Sequence, residues 1–228
     1  MTIPAEAIAA LRALGDERRA ADMAAYHKTA RPFLGIGVPA IDALARQWRA
    51  ACSLEERVAL AAGLWESDIH EARVAAAKLL TQARIRPDDS AVWALIAGWA
   101  EGFDSWALAD HASAAGNRRL VADSARLDHV EGWMRHHNMW TRRAALVMTL
   151  PWAKLPHPRP PDLAVRERVL GWAVAYAEER EWFIQKAVAW WLRDLSRHDP
   201  GRVRDWLAEH GDRLKPFARR EAARRLPR

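Results

Sequence analysis

The sequence has one cysteine, Cys52, in 228 residues. That excludes an intrachain disulfide and any zinc site built on paired thiolates, and it fits a reducing compartment. Glycine and proline number 11 and 12, too few for a collagen-like or linker-like chain. No apolar stretch approaches the roughly 20 residues needed to span a bilayer. The N-terminus also lacks the basic and then apolar run that marks a secretory leader. From these absences we expect a water-soluble, cytoplasmic protein with no membrane partner. Sustained alternation rich in Val, Ile and Thr is missing too, so no β-sheet is expected.

What remains is helix. Half of the residues are hydrophobic, enough for a sizeable core in a single domain over residues 1–228. Ala, Leu, Arg and Glu dominate and favour helices. Helices are predicted near 4–14, 17–30, 39–51, 54–66, 68–84, 90–101, 105–115, 124–136, 139–150, 162–177, 182–197, 201–210 and 213–225. Ser53 with Glu56 forms a capping box. Pro39 stands at a first helical position, and Ser67, Asp104, Asp123 and Asn138 read as start signals. The segment from Lys154 to Pro161 carries four prolines and reads as a non-helical connection.

Short helices joined by short loops predict antiparallel pairs. His70–Ala77, Trp140–Ala145 and Phe183–Trp190 each place a basic residue before a small apolar run. Arg73 and Arg143 are 70 residues apart, and Arg143 and Lys186 are 43 apart. A helix-pair repeat of about 35–45 residues fits the HEAT class, an α-solenoid whose equivalent helices line a concave groove. The helices near 70, 105, 140 and 183 are the expected equivalents.

Charge and tryptophan are unevenly distributed. The chain has 35 basic and 29 acidic residues, a net +6. Seven of the bases (Arg213, Lys215, Arg219, Arg220, Arg224, Arg225, Arg228) and one acid fall in the last 16 residues, which leaves 28 of each sign elsewhere. Such a block suits either a polyanion contact or a solvated terminal helix. Of the 13 tryptophans, most are expected in the core, with some exposed as flat π faces.

Three segments could carry chemistry. Trp106 and Asp110 are four apart and share a helix face; carboxylate and indole together attract a cation. The alternative is a core indole beside a solvated acid. Arg142 and Arg143 point about 100° apart on a helix, so one could hold a phosphate or Asp110 while the other meets solvent. Both could equally be ordinary surface arginines. Trp190 and Trp191 cannot both face one core, and Trp190 shares its face with Lys186. The nine histidines, including His136-His137, show no ligand spacing, and most of them read as surface or cap residues.

These segments resemble the DNA alkylation repair family of HEAT-like glycosylases. The run Phe183-Ile184-Gln185-Lys186-Ala187 through Trp190 and Leu192-Arg193 is similar to its most characteristic stretch. Tyr26 to Ile36 followed by Pro39, Trp106 with Asp110, and Trp140 with Arg143-Ala144-Ala145 fall in matching order, over roughly residues 20 to 225. The resemblance implies that Asp110 is the catalytic carboxylate, that Trp106 and Trp190 wall the lesion nucleotide, and that Arg143 and Tyr26 complete the site. It departs where a second tryptophan follows Trp190 and where Ala107-Leu108-Ala109 separates Trp106 from Asp110.

The implied activity is hydrolysis of the N-glycosidic bond of cationic alkylated purines in double-stranded DNA. The expected enzyme is monofunctional, with no metal and no cofactor, and Lys186, Arg219 and Arg220 are candidate DNA contacts. No obligatory protein partner is expected. The alternatives are a non-catalytic binder of damaged or branched DNA and an α-solenoid scaffold for proteins.

Overall fold

The computed structural model describes residues 2–227; Arg228, counted above in the basic block, lies outside them. The described residues form helices and no strand, and no helix is long and apolar enough to cross a membrane. Backbone contacts divide the chain between Ala122 and Asp123 into two compact units.

The first unit contains α1 (Pro4–Arg12), α2 (Glu17–His27), α3 (Val38–Ala51), α4 (Leu54–Glu66), α5 (His70–Leu80), α6 (Ser90–Gly98) with a 3-10 turn at Trp99–Gly102, and α7 (Trp106–Ala122). Helix α5 is its centre. Nine of its eleven residues are buried, because a run of alanines lets α3, α4 and α7 approach on three sides. Helix α2 buries no residue and ends in the exposed Tyr26 and in Lys28, whose left-handed backbone (φ 54°) stops the helix.

The loop after α2 is held by one acid. Glu71 of α5 is fully buried and accepts from the backbone N–H groups of Leu34 (2.9 Å), Gly35 (2.8 Å) and Ile36 (3.2 Å). Gly35 has φ 78°, and a Cβ there would collide with the Asp16 carbonyl oxygen. Only glycine fits. Arg31, in the same loop, pairs with Asp68 and Asp104.

The second unit contains a 3-10 turn (Ser124–Arg126), α8 (Leu127–Gly132), a second turn (Trp133–Arg135), α9 (Met139–Met148), α10 (Leu150–Ala153), α11 (Pro160–Ala175), α12 (Trp182–Leu195), α13 (Pro200–His210) and α14 (Pro216–Ala223). Here α12 is the centre, packed on α9, α10 and α14. Its Gln185 is fully buried and donates to the carbonyls of Tyr176 (3.1 Å), Ala177 (3.0 Å) and Glu179 (2.9 Å). The same side chain accepts from the Lys215 N–H (2.9 Å), tying the entry of α12 to the start of α14.

The expected repeat is visible inside each unit. Arg73 of α5 donates to the carbonyls of Trp65 (2.9 Å) and Gly102 (3.1 Å), just ahead of α7. Arg143 of α9 donates to the carbonyl of Phe183 (2.8 Å) in the first turn of α12. In both units a basic residue early in one helix fastens the beginning of the next inner helix. Lys186, the third member of the pattern, is exposed instead.

Several local readings need correction. Ser67 caps the end of α4, with its hydroxyl on the Leu64 carbonyl (2.7 Å), while Ile69 precedes α5. Asp104 is not the cap of α7: Arg31 takes its carboxylate (2.8 Å), and Ser105 stands before the helix. Helix α7 runs past Gly116 to Ala122, because Arg119 is fully buried and paired with Asp89 (2.6 Å); the glycine's low propensity is overridden. The proline-rich segment is not wholly connection. Pro160 and Pro161 open α11, where their missing N–H groups have no helical acceptor to lose. The helix expected at 124–136 is two 3-10 turns around a six-residue helix.

Candidate active site

The amino end of α7 presents Trp106 and Asp110 on one partly exposed face, with Ala107, Leu108 and Ala109 turned into the core. The four-residue spacing places them together as expected. Tyr26, 70% exposed, meets Trp106 edge-on with ring centres 6.3 Å apart. Three of the sequence-derived site residues, from α2 and α7, are thus assembled within the first unit.

A layer of rings lies behind them that the sequence reading missed. His27 approaches Trp106 at 5.5 Å and Tyr26 at 5.1 Å. It stacks on Phe33 at 5.5 Å and lies 5.0 Å from His70, which stacks on Phe33 at 4.5 Å. His70 is buried at 3% exposure, an exception among histidines that are mostly at least partly exposed. Burial pushes its pKa down to about 3, helped by the nearby His27, His111 and Arg31 charges. Burial also lowers His27, against the opposing pull of Asp104 and Glu71. The Nδ1 atoms of both rings have no hydrogen-bond partner. At neutral pH these are uncharged rings that pack as aromatic spacers and fix the pose of Trp106. Residues 27, 33, 70 and 106 meet only through the fold, and no local spacing could have revealed them.

In the second unit α12 separates its adjacent indoles as its period requires. Trp191 is fully buried with Nε1 on the Thr149 hydroxyl (3.2 Å). Trp190 is half-buried and fixed by Nε1 donating to Asp194 (2.9 Å). The cation over Trp190 is Lys154 (5.6 Å), whereas Lys186 lies over Trp182 at 4.6 Å. Trp190 and Lys186 do share a face, since both line a cavity of about 380 Å³ with Trp182, Arg193, Phe217 and Glu221.

The two candidate arginines of α9 are both committed to protein groups. Arg143 is buried at 3% exposure, with its guanidinium on the Phe183 carbonyl and near the Phe183 ring. Arg142 pairs with Glu179 and donates to the carbonyls of His136 (2.9 Å) and His137 (3.1 Å). In the basic block, Arg219 is paired with Asp212, Arg213 with Glu178 and Arg224 with Glu221. Arg220 is exposed and has no ion pair among the described residues.

Comparisons with known proteins bear on this arrangement. A family model described as DNA alkylation repair enzyme matches residues 7–226. No curated protein matches the chain. Among solved structures, a protein of Enterococcus faecalis described as a predicted DNA alkylation repair enzyme superposes with a TM-score of 0.77 at 23% identity, over 94% of this chain and 97% of that one. AlkD2 from Streptococcus mutans superposes with a TM-score of 0.62 at 18% identity, over 85% and 92% of the two chains. The protein smu.31 of Streptococcus mutans gives 0.61 at 18% identity, over 83% and 93%. At these identities the likeness is one of fold, and it is to all-helical proteins of the expected class.

Proposed function

The chain belongs to the DNA alkylation repair enzyme family, and from that premise we propose that it is a glycosylase releasing cationic alkylated purines from double-stranded DNA. The observation that carries the reading is the face of α7 on which Asp110 and Trp106 stand together, with the exposed Tyr26 ring beside them.

Alkylation at N3 or N7 gives a purine a positive charge and makes it a better leaving group. As C1′–N9 breaks, the electron pair leaves with the base, which becomes neutral, and positive charge develops on the sugar. The Asp110 carboxylate stabilises that charge and orients the water that adds to C1′ and gives up a proton. The Trp106 ring face favours the same charge, and Trp190 of the second unit is a separate candidate contact for the damaged strand. In this reading Arg143 is a positioning residue: its bond to the Phe183 carbonyl sets the first turn of α12, which carries Lys186 and Trp190. Lys186, Arg219 and Arg220 are candidate phosphate contacts, of which Arg219 must first leave Asp212.

The substrate already carries its activating charge, so no metal or Schiff-base step is invoked. The test is incubation of purified protein with methylated duplex DNA and chromatography of the released bases. Free 7-methylguanine or 3-methyladenine, with abasic but uncut strands, is the expected result. Release of no base from substrate that the protein binds would favour a non-catalytic binder of damaged DNA.

A further inference from the structure

The cavity between α12 and α14 shares with the reading above only Trp190 and the candidate phosphate contact Lys186. We propose that it receives an unpaired nucleotide of a DNA strand, the base against its aromatic wall and the phosphate on Lys186; this rests on the reading that the chain binds DNA. Three rings form the wall. Trp182 stacks on Phe217 with centres 5.5 Å apart and 27° between planes. Trp190 is held in place by its bond to Asp194. The volume of about 380 Å³ is in the range of small-ligand sites. Trp182 is an exposed indole (46%), a surface that water does not favour and that a flat ligand covers.

Charge selects among flat ligands. The one acid in the cavity, Glu221, is paired with Arg193 and Arg224. It is therefore not free to hold a cation, and the site is not a cage for a methylated amine. The charge left over is that of Lys186, which is exposed above Trp182. Helix α14 adds Arg220 on its exposed side. An aromatic wall with surplus positive charge suits a planar ring carrying a phosphate, the arrangement that binds unstacked bases. A fully paired duplex keeps its bases in the stack and offers no such ring.

The test compares two duplexes that differ by one extra, unpaired 2-aminopurine nucleotide. Affinity is read by anisotropy, and stacking by quenching of 2-aminopurine emission. Stacking on an aromatic platform predicts that the bulged duplex binds about tenfold more tightly and that its emission falls on binding. Phe217→Ala should bring the affinity ratio close to one, and Phe217→Tyr, which keeps a ring, should preserve it. Circular dichroism of both variants confirms helix content, and the quenching of wild type needs no variant. Paired and bulged duplexes binding equally, or Phe217→Ala keeping the ratio, overturns this proposal alone. Failure of the wild type to bind either duplex overturns the DNA-binding reading and this proposal with it.

Discussion

Replacing Glu71 tests how the first unit holds its candidate site. Its two carboxylate oxygens accept three backbone N–H groups of the loop at Leu34, Gly35 and Ile36, and it is fully buried. In Glu71→Gln the amide oxygen can keep the Gly35 and Ile36 bonds made by Oε1. The amide NH2 then faces the Leu34 N–H, donor against donor. The loss is one charge-assisted bond and one newly unsatisfied donor, together about 2–4 kcal/mol. In Glu71→Leu all three donors are orphaned, and the loss is larger, about 3–5 kcal/mol. For a chain of this size each kcal/mol moves the midpoint by about 2–4 °C. Thermal unfolding followed by circular dichroism should therefore show a fall of about 5–15 °C for Gln and more for Leu. The loop carries Phe33, which stacks on His27 and His70 behind Trp106, so tryptophan emission should shift as well. A midpoint within about 2 °C of wild type for Glu71→Leu would refute the idea that this acid organises the loop.

Other perturbations follow from the same geometry. Burial holds His70 near pH 3 and His111 near pH 4 in the folded state, below the ordinary value of about 6.5. Between those values the unfolded chain binds more protons, so stability is full above about pH 6.5 and is lost as pH falls toward 4 and 3. Lowering pH from 7.5 to 5.5 should cost about 1 kcal/mol per histidine, and His70→Phe should flatten the midpoint-against-pH curve by one such contribution. Trp191→Ala, which empties a fully buried site, should destabilise by about 3–5 kcal/mol. Trp190→Ala, at a half-buried position, should cost less stability and more base release; the reverse ranking would contradict the separation of the two indoles.

Much of the helical order was readable because it rests on local chemistry. The Ser53–Glu56 box closes as its spacing requires (2.8 and 3.2 Å), and Asn138 caps α9 through the Trp140 N–H (2.9 Å). Some departures are local, as where Ser67 closes α4 on the Leu64 carbonyl and Pro160 and Pro161 open α11; others are settled by distant partners. Arg119 carries α7 through a glycine because its acceptors lie some 30 residues earlier, at Asp89 and the carbonyl of Ala83. Arg143 looked like a surface residue or a phosphate ligand, yet its acceptor at Phe183 is 40 residues later. On the candidate site, i,i+4 spacing was enough to pair Trp106 with Asp110. The His27, Phe33 and His70 layer and the Trp182–Phe217 stack join three and two helices or loops, and no spacing within one element encodes them.

The central claim is that Asp110 acts on the breaking bond. Single-turnover release of 7-methylguanine from methylated duplex, measured with wild type and Asp110→Asn at matched occupancy, tests it most directly. Loss of a charge aimed at the transition state predicts a rate lower by about a hundred- to a thousandfold with duplex affinity retained. Equal rates for the two proteins would contradict the mechanism.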